Sequence, residues 1–188
     1  PHHALRVYVM GERAIQHEAA TEEDIKLMAK LTEEALLAGA FGFTTSRTDS
    51  HKTTRGDFVP GRYSETEELI GIGRSLGKVG RGAFGMISDF EDEKAEFKWM
   101  QELGAEIKRP IWFLLTDRSY DPERWRRLIA GAKMANSQGA AITAQIAGRS
   151  VGLILGLTTS LTPFSVRSKF NALESLSPND KLAKLRNP

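Results

Sequence analysis

Apolar and polar positions along this chain switch between a helical and an extended period. Ile25, Met28, Leu31, Ala35 and Ala38 recur every three or four residues, the spacing that puts side chains on one helix face. Thr21, with Asp24 three residues on, supplies a hydroxyl and a carboxylate for the first free amides of a helix. The pattern predicts a helix over 22–38. Gly39 stops it, because glycine takes positive φ without a Cβ clash. Ala40, Phe41 and Phe43 then form a short apolar run around Gly42, which predicts a buried strand over 40–45. Thr44, Thr45, Ser46 and Arg47 make its end polar. The rest of the chain is arranged around this helix, stop and strand.

The same alternation recurs. Residues 4–10 are rich in β-branched and aromatic side chains and are predicted to be extended, ending at Gly11. Residues 46–63 form a long polar loop, of the kind that in compact domains is functional or mobile. Residues 64–67 read as a second capping box, and Leu69, Ile70, Ile72, Leu76 and Val79 line the helix that follows. Gly80 and Gly82 lead into a strand over 83–87 that ends at Ser88 and Asp89. Acidic residues in 91–96 open a helix carrying Phe97, Trp99, Met100 and Leu103, stopped at Gly104. Pro110 precedes a strand over 111–115, ending at Thr116 and Asp117. Asp121, Pro122 and Glu123 are expected to cap the next helix, with proline in its first position and Trp125, Leu128, Ile129 and Ala132 as its apolar face. Gly139 precedes a strand over 141–146. Residues 150–163 are apolar and glycine-rich, with no period that separates helix from strand. Two short helical patterns, 167–175 and 179–186, close the chain.

Strand starts at 40, 83, 111 and 141 lie roughly 30 residues apart after the first interval, the pitch of successive βα units. Parallel strands need such crossovers. The expected fold class is therefore α/β, as a partial (β/α)8 TIM barrel of about four consecutive βα units. A whole barrel takes about 250 residues, so residues 1–188 are expected to be the central section of a longer barrel domain, its flanking strands missing. An open doubly wound sheet is the rival.

Composition narrows the partners. Hydrophobic residues make up 40% and charged residues 27% of the 188, an ordinary globular balance. A net charge of +2 gives no reason to expect nucleic acid. The chain has no cysteine, which excludes disulfides, thiolate ligands and a cysteine nucleophile, and fits a reducing, cytoplasmic setting. No apolar run approaches about 18 residues, so no membrane partner is expected. The edges of a half barrel lack strand partners, so self-association is expected.

If the four units share one barrel, their strand ends open on one cleft. Thr44, Thr45, Arg47, Ser88, Asp89, Thr116, Asp117, Gln145 and Arg149 would converge there. Polar residues after strands also serve as helix caps and turn formers, and each aspartate is open to either use. At Arg149, a guanidinium could clamp a substrate carboxylate in two parallel bonds or pair with a neighbouring acid. The histidines His2, His3, His17 and His51 show neither His-x-His nor His-Glu-x-x-His spacing. His2 and His3 read as a tag remnant, a surface pair or an active-site element, and His51 as a solvated loop residue. Gly71, Gly73 and Gly77 mimic a phosphate loop but lie inside a helical pattern that precedes a strand, so the geometry fails. No serine-centred nucleophile elbow is present. Arg124, Arg126 and Arg127 read as the solvated side of a helix. The residues alone assign neither a catalytic group nor a metal ligand.

One resemblance does emerge. His3 to Arg6, Gly11, residues 19–24, Glu34 and Ala35, residues 38–45, Pro60 and Gly61, and residues 67–69 resemble the N-acyl-D-amino-acid deacylase (D-aminoacylase) branch of the amidohydrolase superfamily. The likeness is closest over residues 3–70. It continues more loosely through Gln145, Gly148, Arg149, Gly152, residues 155–157, Pro163 and Phe164. It implies a zinc-dependent (β/α)8 hydrolase acting on a small-molecule amide, with His3 on its active-site face; together with the strand-end residues Arg47, Asp89, Gln145 and Arg149 this gives the expected substrate-binding set. It further implies that the zinc ligands and the proton-moving aspartate belong to strands outside this chain, so zinc is expected in the full-length protein and not in this section, which alone is expected to be inactive. Where the family has histidines at two successive strand ends, this chain has Ser88 and Asp89, then Leu115 and Thr116. A non-catalytic binding or assembly module and a cyclic-amide hydrolase are the alternatives.

Overall fold

A computed structural model describes all residues except Thr54, Ser119, Val151, Leu153, Thr158, Ser160, Leu161, Val166, Asn187 and Pro188. The elements are α1 (His2–Met10), α2 (Glu12–Ile15), α3 (Glu22–Leu37), β1 (Gly42–Arg47), α4 (Thr66–Val79), β2 (Ala83–Ser88), α5 (Glu93–Ile107), β3 (Ile111–Leu114), α6 (Arg124–Ser137), β4 (Ile142–Gln145), α7 (Ser168–Asn171) and α8 (Pro178–Arg186). The sheet is wholly parallel, in the order β1-β2-β3-β4. The reversal of strand order that marks a doubly wound sheet does not occur among the described strands.

The register explains the core. Phe43, Phe84, Ile111 and Ile142 lie side by side across the four strands, and all four are buried. Thr45, Met86, Phe113 and Ala144 form the next row on that face. Helices α3, α4, α5 and α6 pack each against the next, and Leu69, Ile72, Leu76, Trp99, Met100, Leu103 and Leu128 from this layer join the core. The opposite face carries Thr44, Gly85, Trp112 and Thr143 in one row. Gly85 is needed there, because a Cβ would sit 2.1 Å from the Trp112 indole.

The three glycines of the false phosphate loop have a packing role. A Cβ on Gly71 would lie 2.4 Å from Ile25 of α3, and Cβ atoms on Gly73 and Gly77 would lie 2.5 Å from Leu103 and 2.9 Å from Ile107 of α5. Small residues on both flanks let α4 nest between its neighbours.

Several local expectations change. Residues 4–10 are helical. Their buried positions, His2, Arg6 and Met10, repeat every four residues, while Tyr8 is 78% exposed. The helix buries two polar side chains, a stripe that an apolar pattern does not reveal. Strand β1 starts at Gly42 and runs to Arg47, and Phe41 lies outside it, 97% exposed. The Thr21 and Asp24 capping box is present in both directions. Ser64 caps nothing: its hydroxyl donates to the Gly61 carbonyl at 3.0 Å, and α4 begins after Glu65. Helix α5 passes Gly104 and ends at Ile107, because the bare Cα there admits Ala140. Asp121 binds Arg127 at 2.6 Å, and α6 starts beyond it at Arg124 with no side-chain cap. Trp125 is 39% exposed, stacked by the Arg126 guanidinium.

The chain forms two compact units. One comprises Pro1–His51 with Phe58–Ile146, the other Lys52–Asp57 with Ala147–Pro188. The first holds the sheet and every buried apolar side chain among the described residues. The second holds α7 and α8. Part of the expected ambiguous stretch, at 151, 153, 158, 160 and 161, lies outside the described residues, and the described residues of 150–163 form neither helix nor strand. No described helix is long and apolar enough to cross a membrane.

Candidate functional site at the strand tips

Because the strands are parallel and consecutive, the carboxyl ends of β1 and β2 lie together, with Arg47 opposite Ser88. A cavity of about 160 Å³ opens there, lined by Arg47, Arg62, Ser88, Asp89, Glu91, Glu96 and Trp99 among others. Glu96 is its hub. One carboxylate oxygen accepts from Arg47 Nη1 at 3.1 Å and from the Trp99 indole N–H at 2.5 Å; the other accepts from the Ser88 hydroxyl at 2.9 Å. The first turn of α5 presents Glu96 because Asp92 caps that helix.

Asp89 is held as firmly. Its oxygens accept from the Thr48 hydroxyl and the Asp49 amide, both at 2.8 Å, and from Arg118 Nη2 at 3.0 Å. Burial alone would raise its pKa, but those two hydrogen bonds and the Arg118 charge outweigh it and hold the carboxyl below its ordinary value. Arg62 bridges Asp49 at 2.6 Å and Glu91 at 2.7 Å.

Asp49, Asp89 and Glu91 bring carboxylate oxygens close enough to hold a cation. They do not fit zinc. The set offers oxygen alone, where zinc sites draw chiefly on nitrogen and sulfur, and ion pairs with Arg62 and Arg118 already engage all three carboxylates.

A second polar cluster lies on the helix-facing side of β1. His2 Nδ1 is 2.8 Å from the Thr45 hydroxyl, and Nε2 is 2.7 Å from Glu68. Arg6 Nε is 3.0 Å from the same Glu68 oxygen. A proton on Nε2 satisfies both histidine bonds, with Thr45 donating to Nδ1. Burial chiefly lowers the His2 pKa, against the opposing pull of Glu68, so the ring is neutral. Hydroxyl, imidazole and carboxylate stand in the order of a nucleophile, base and orienting acid. All three are buried, however, and they join α1, β1 and α4. Their role is to pin the first helix to the sheet. His2 is thus neither a tag remnant nor a surface pair.

The expected site residues separate. Arg47, Ser88 and Asp89 meet at the cavity. Thr45 belongs to the buried pin, and Thr44 is exposed on the other sheet face. Asp117 is exposed and accepts from the Arg118 amide at 2.9 Å, a turn-forming contact. Thr116 is half-buried, and Gln145 is exposed at the end of β4. His3 is half-buried, its pKa lowered mainly by burial. His51 is exposed, with Nδ1 2.6 Å from the Ser46 hydroxyl. Arg149 lies in the other unit, exposed, and donates to the Ser150 carbonyl. Glu96, Arg62 and Arg118 are not legible as site residues in the sequence, since partners 29 to 49 positions away define their roles.

Fold and tips together define an α/β protein of consecutive parallel βα units with a small cavity, lined by ion-paired side chains, at the carboxyl ends of its strands. No known protein family, no curated protein and no solved structure matches this chain.

Proposed function

We propose that the chain is the central section of a (β/α)8 amidohydrolase barrel that hydrolyses the amide bond of N-acyl-D-amino acids or related amides in the cytoplasm. One observation carries the reading: four consecutive parallel units bring Arg47, Ser88 and Asp89 onto one cavity at the strands' carboxyl ends, where barrel enzymes keep their sites. The sequence likeness over residues 3–70 supports the same reading. This section would supply the wall of the site, with Arg47 and Arg62 presenting cations to a substrate carboxylate, Glu96 fixing the geometry of Arg47 and Asp49 and Glu91 that of Arg62. Zinc, bound by residues outside this section, would supply an activated water.

The test is turnover of a panel of N-acyl-D-amino acids, their L-isomers and cyclic amides by the full-length protein, with and without zinc. Zinc-dependent release of free D-amino acid is expected. No hydrolysis by zinc-loaded protein overturns the proposal, and turnover of cyclic amides alone moves the substrate class.

A second reading, a non-catalytic binding or assembly module, is favoured by the internal pairing of Arg47 with Glu96 and of Asp89 with Arg118. On this reading the 188-residue chain associates with itself through the unpaired edges of β1 and β4. Light scattering that finds only monomer removes it.

A further inference from the structure

The second unit contains a groove of about 540 Å³ beside α7 and α8. Its floor is apolar, made by Phe164, Phe170, Leu173 and Leu185, and its rim is cationic, made by Arg167, Lys169 and Lys184; no acidic residue lines it. Phe164 and Phe170 stack with centroids 5.6 Å apart, and Lys181 places its ammonium 5.6 Å from the Phe170 ring. Half of the Phe164 and Leu185 surface, 54% and 46%, is exposed.

The charge around the groove is one-sided. Residues 147–188 carry six cations, Arg149, Arg167, Lys169, Lys181, Lys184 and Arg186, against the two acids Glu174 and Asp180, a net of +4. In the first unit Lys26, Lys30, Arg74, Lys78 and Arg127 each have a carboxylate partner. Among the described residues Arg167, Lys169 and Lys184 have no such ion pair. An apolar floor with an uncompensated cationic rim is complementary to a ligand with an alkyl body and an anionic head. The volume lies within the roughly 300–1,000 Å³ usual for small-molecule sites.

We propose that this groove binds a single carboxylate-headed alkyl chain, a medium-chain acyl anion. The chain lies along Phe164, Phe170, Leu173 and Leu185, and the carboxylate meets Arg167, Lys169 and Lys184. The inference is independent of the barrel reading and needs neither zinc nor the strand tips.

The test uses the intact 188-residue chain and NMR titration with hexanoate, octanoate and decanoate below their micelle concentrations. Expected are shifts concentrated at the amides of Phe170, Leu173 and Leu185, with affinity rising by up to about fourfold per methylene. Decanol, lacking the charge, should bind at least tenfold more weakly. Arg167→Glu with Lys184→Glu, both at exposed positions, should also weaken decanoate at least tenfold while the circular dichroism spectrum stays unchanged. Absence of shifts at the groove, equal binding of decanol and decanoate, or an unaffected double variant overturns the proposal. So does binding to phosphatidylglycerol vesicles with none to monomeric decanoate, which would make the face a membrane contact.

Discussion

The two units of this chain are held together by different means. In the first, rows of apolar side chains run across the sheet in register and meet a single layer of helices, and the polar side chains His2, Arg6 and Glu68 enter the interior as one paired cluster. His2, Arg6 and Glu68 are all but inaccessible to solvent. In the second, no described apolar side chain is buried, and its two short helices leave aromatic and cationic groups at the surface. A shared sheet lets one residue stabilise several elements at once. Where that sheet is lacking, each contact is local, and apolar surface remains open for a ligand.

The sharpest way to break this contrast is to truncate one phenylalanine in each unit. Phe84→Ala removes a fully buried ring and should cost about 3–5 kcal/mol, whereas Phe170→Ala should cost about 1 kcal/mol or less. Denaturant unfolding followed by residue-resolved NMR reads both. Equal losses would mean that the second unit has a core of its own.

The buried charge cluster allows the next test. Glu68→Ala strands Arg6 in the interior and should cost about 3–5 kcal/mol. Replacing the cluster together, as His2→Phe, Arg6→Met and Glu68→Leu, should recover most of that loss, because apolar groups of similar volume need no compensation. A triple variant as unstable as Glu68→Ala would show that the cluster does more than pin α1.

Acid should act on the two units differently. The folded pKa values of His2 and His3 lie below the ordinary histidine value of 6.5, so below pH 6.5 the unfolded chain binds more protons than the folded one. Stability of the first unit should therefore be unaffected by these groups above pH 6.5 and fall as pH drops from 6.5 toward the folded values. His2→Phe should flatten part of that slope. The second unit contains no histidine and should show no such slope. The smallest expected effect is Thr21→Ala, which removes one half of the α3 capping box and should cost about 1 kcal/mol in thermal or chemical unfolding.

Much of the frame is legible in the amino-acid order. The period of Ile25, Met28 and Leu31, the capping box at Thr21 and the glycine stops place α3, α4 and all four strands to within a few residues, since these signals are local. Residues 4–10 mislead because Val7, Tyr8 and Val9 favour extension while the face that α1 buries is polar. Phe41 looks like core, yet the chain does not enter the sheet until Gly42. At the candidate site, Arg47, Ser88 and Asp89 can be named from their places after strands. Their partners Glu96, Thr48 and Arg118 cannot, because a polar residue on a helix or loop carries no mark of which strand it will meet.

By itself the chain's residue order determined where most helices and strands form and that they alternate, because hydrophobic period, caps and glycine stops act over a few residues. Only the tertiary structure decided that Arg47 turns to Glu96, that Asp89 is held by Arg118, and that His2 is locked beneath the sheet by Glu68. Those pairings depend on parallel register and helix packing, which bring together groups dozens of residues apart.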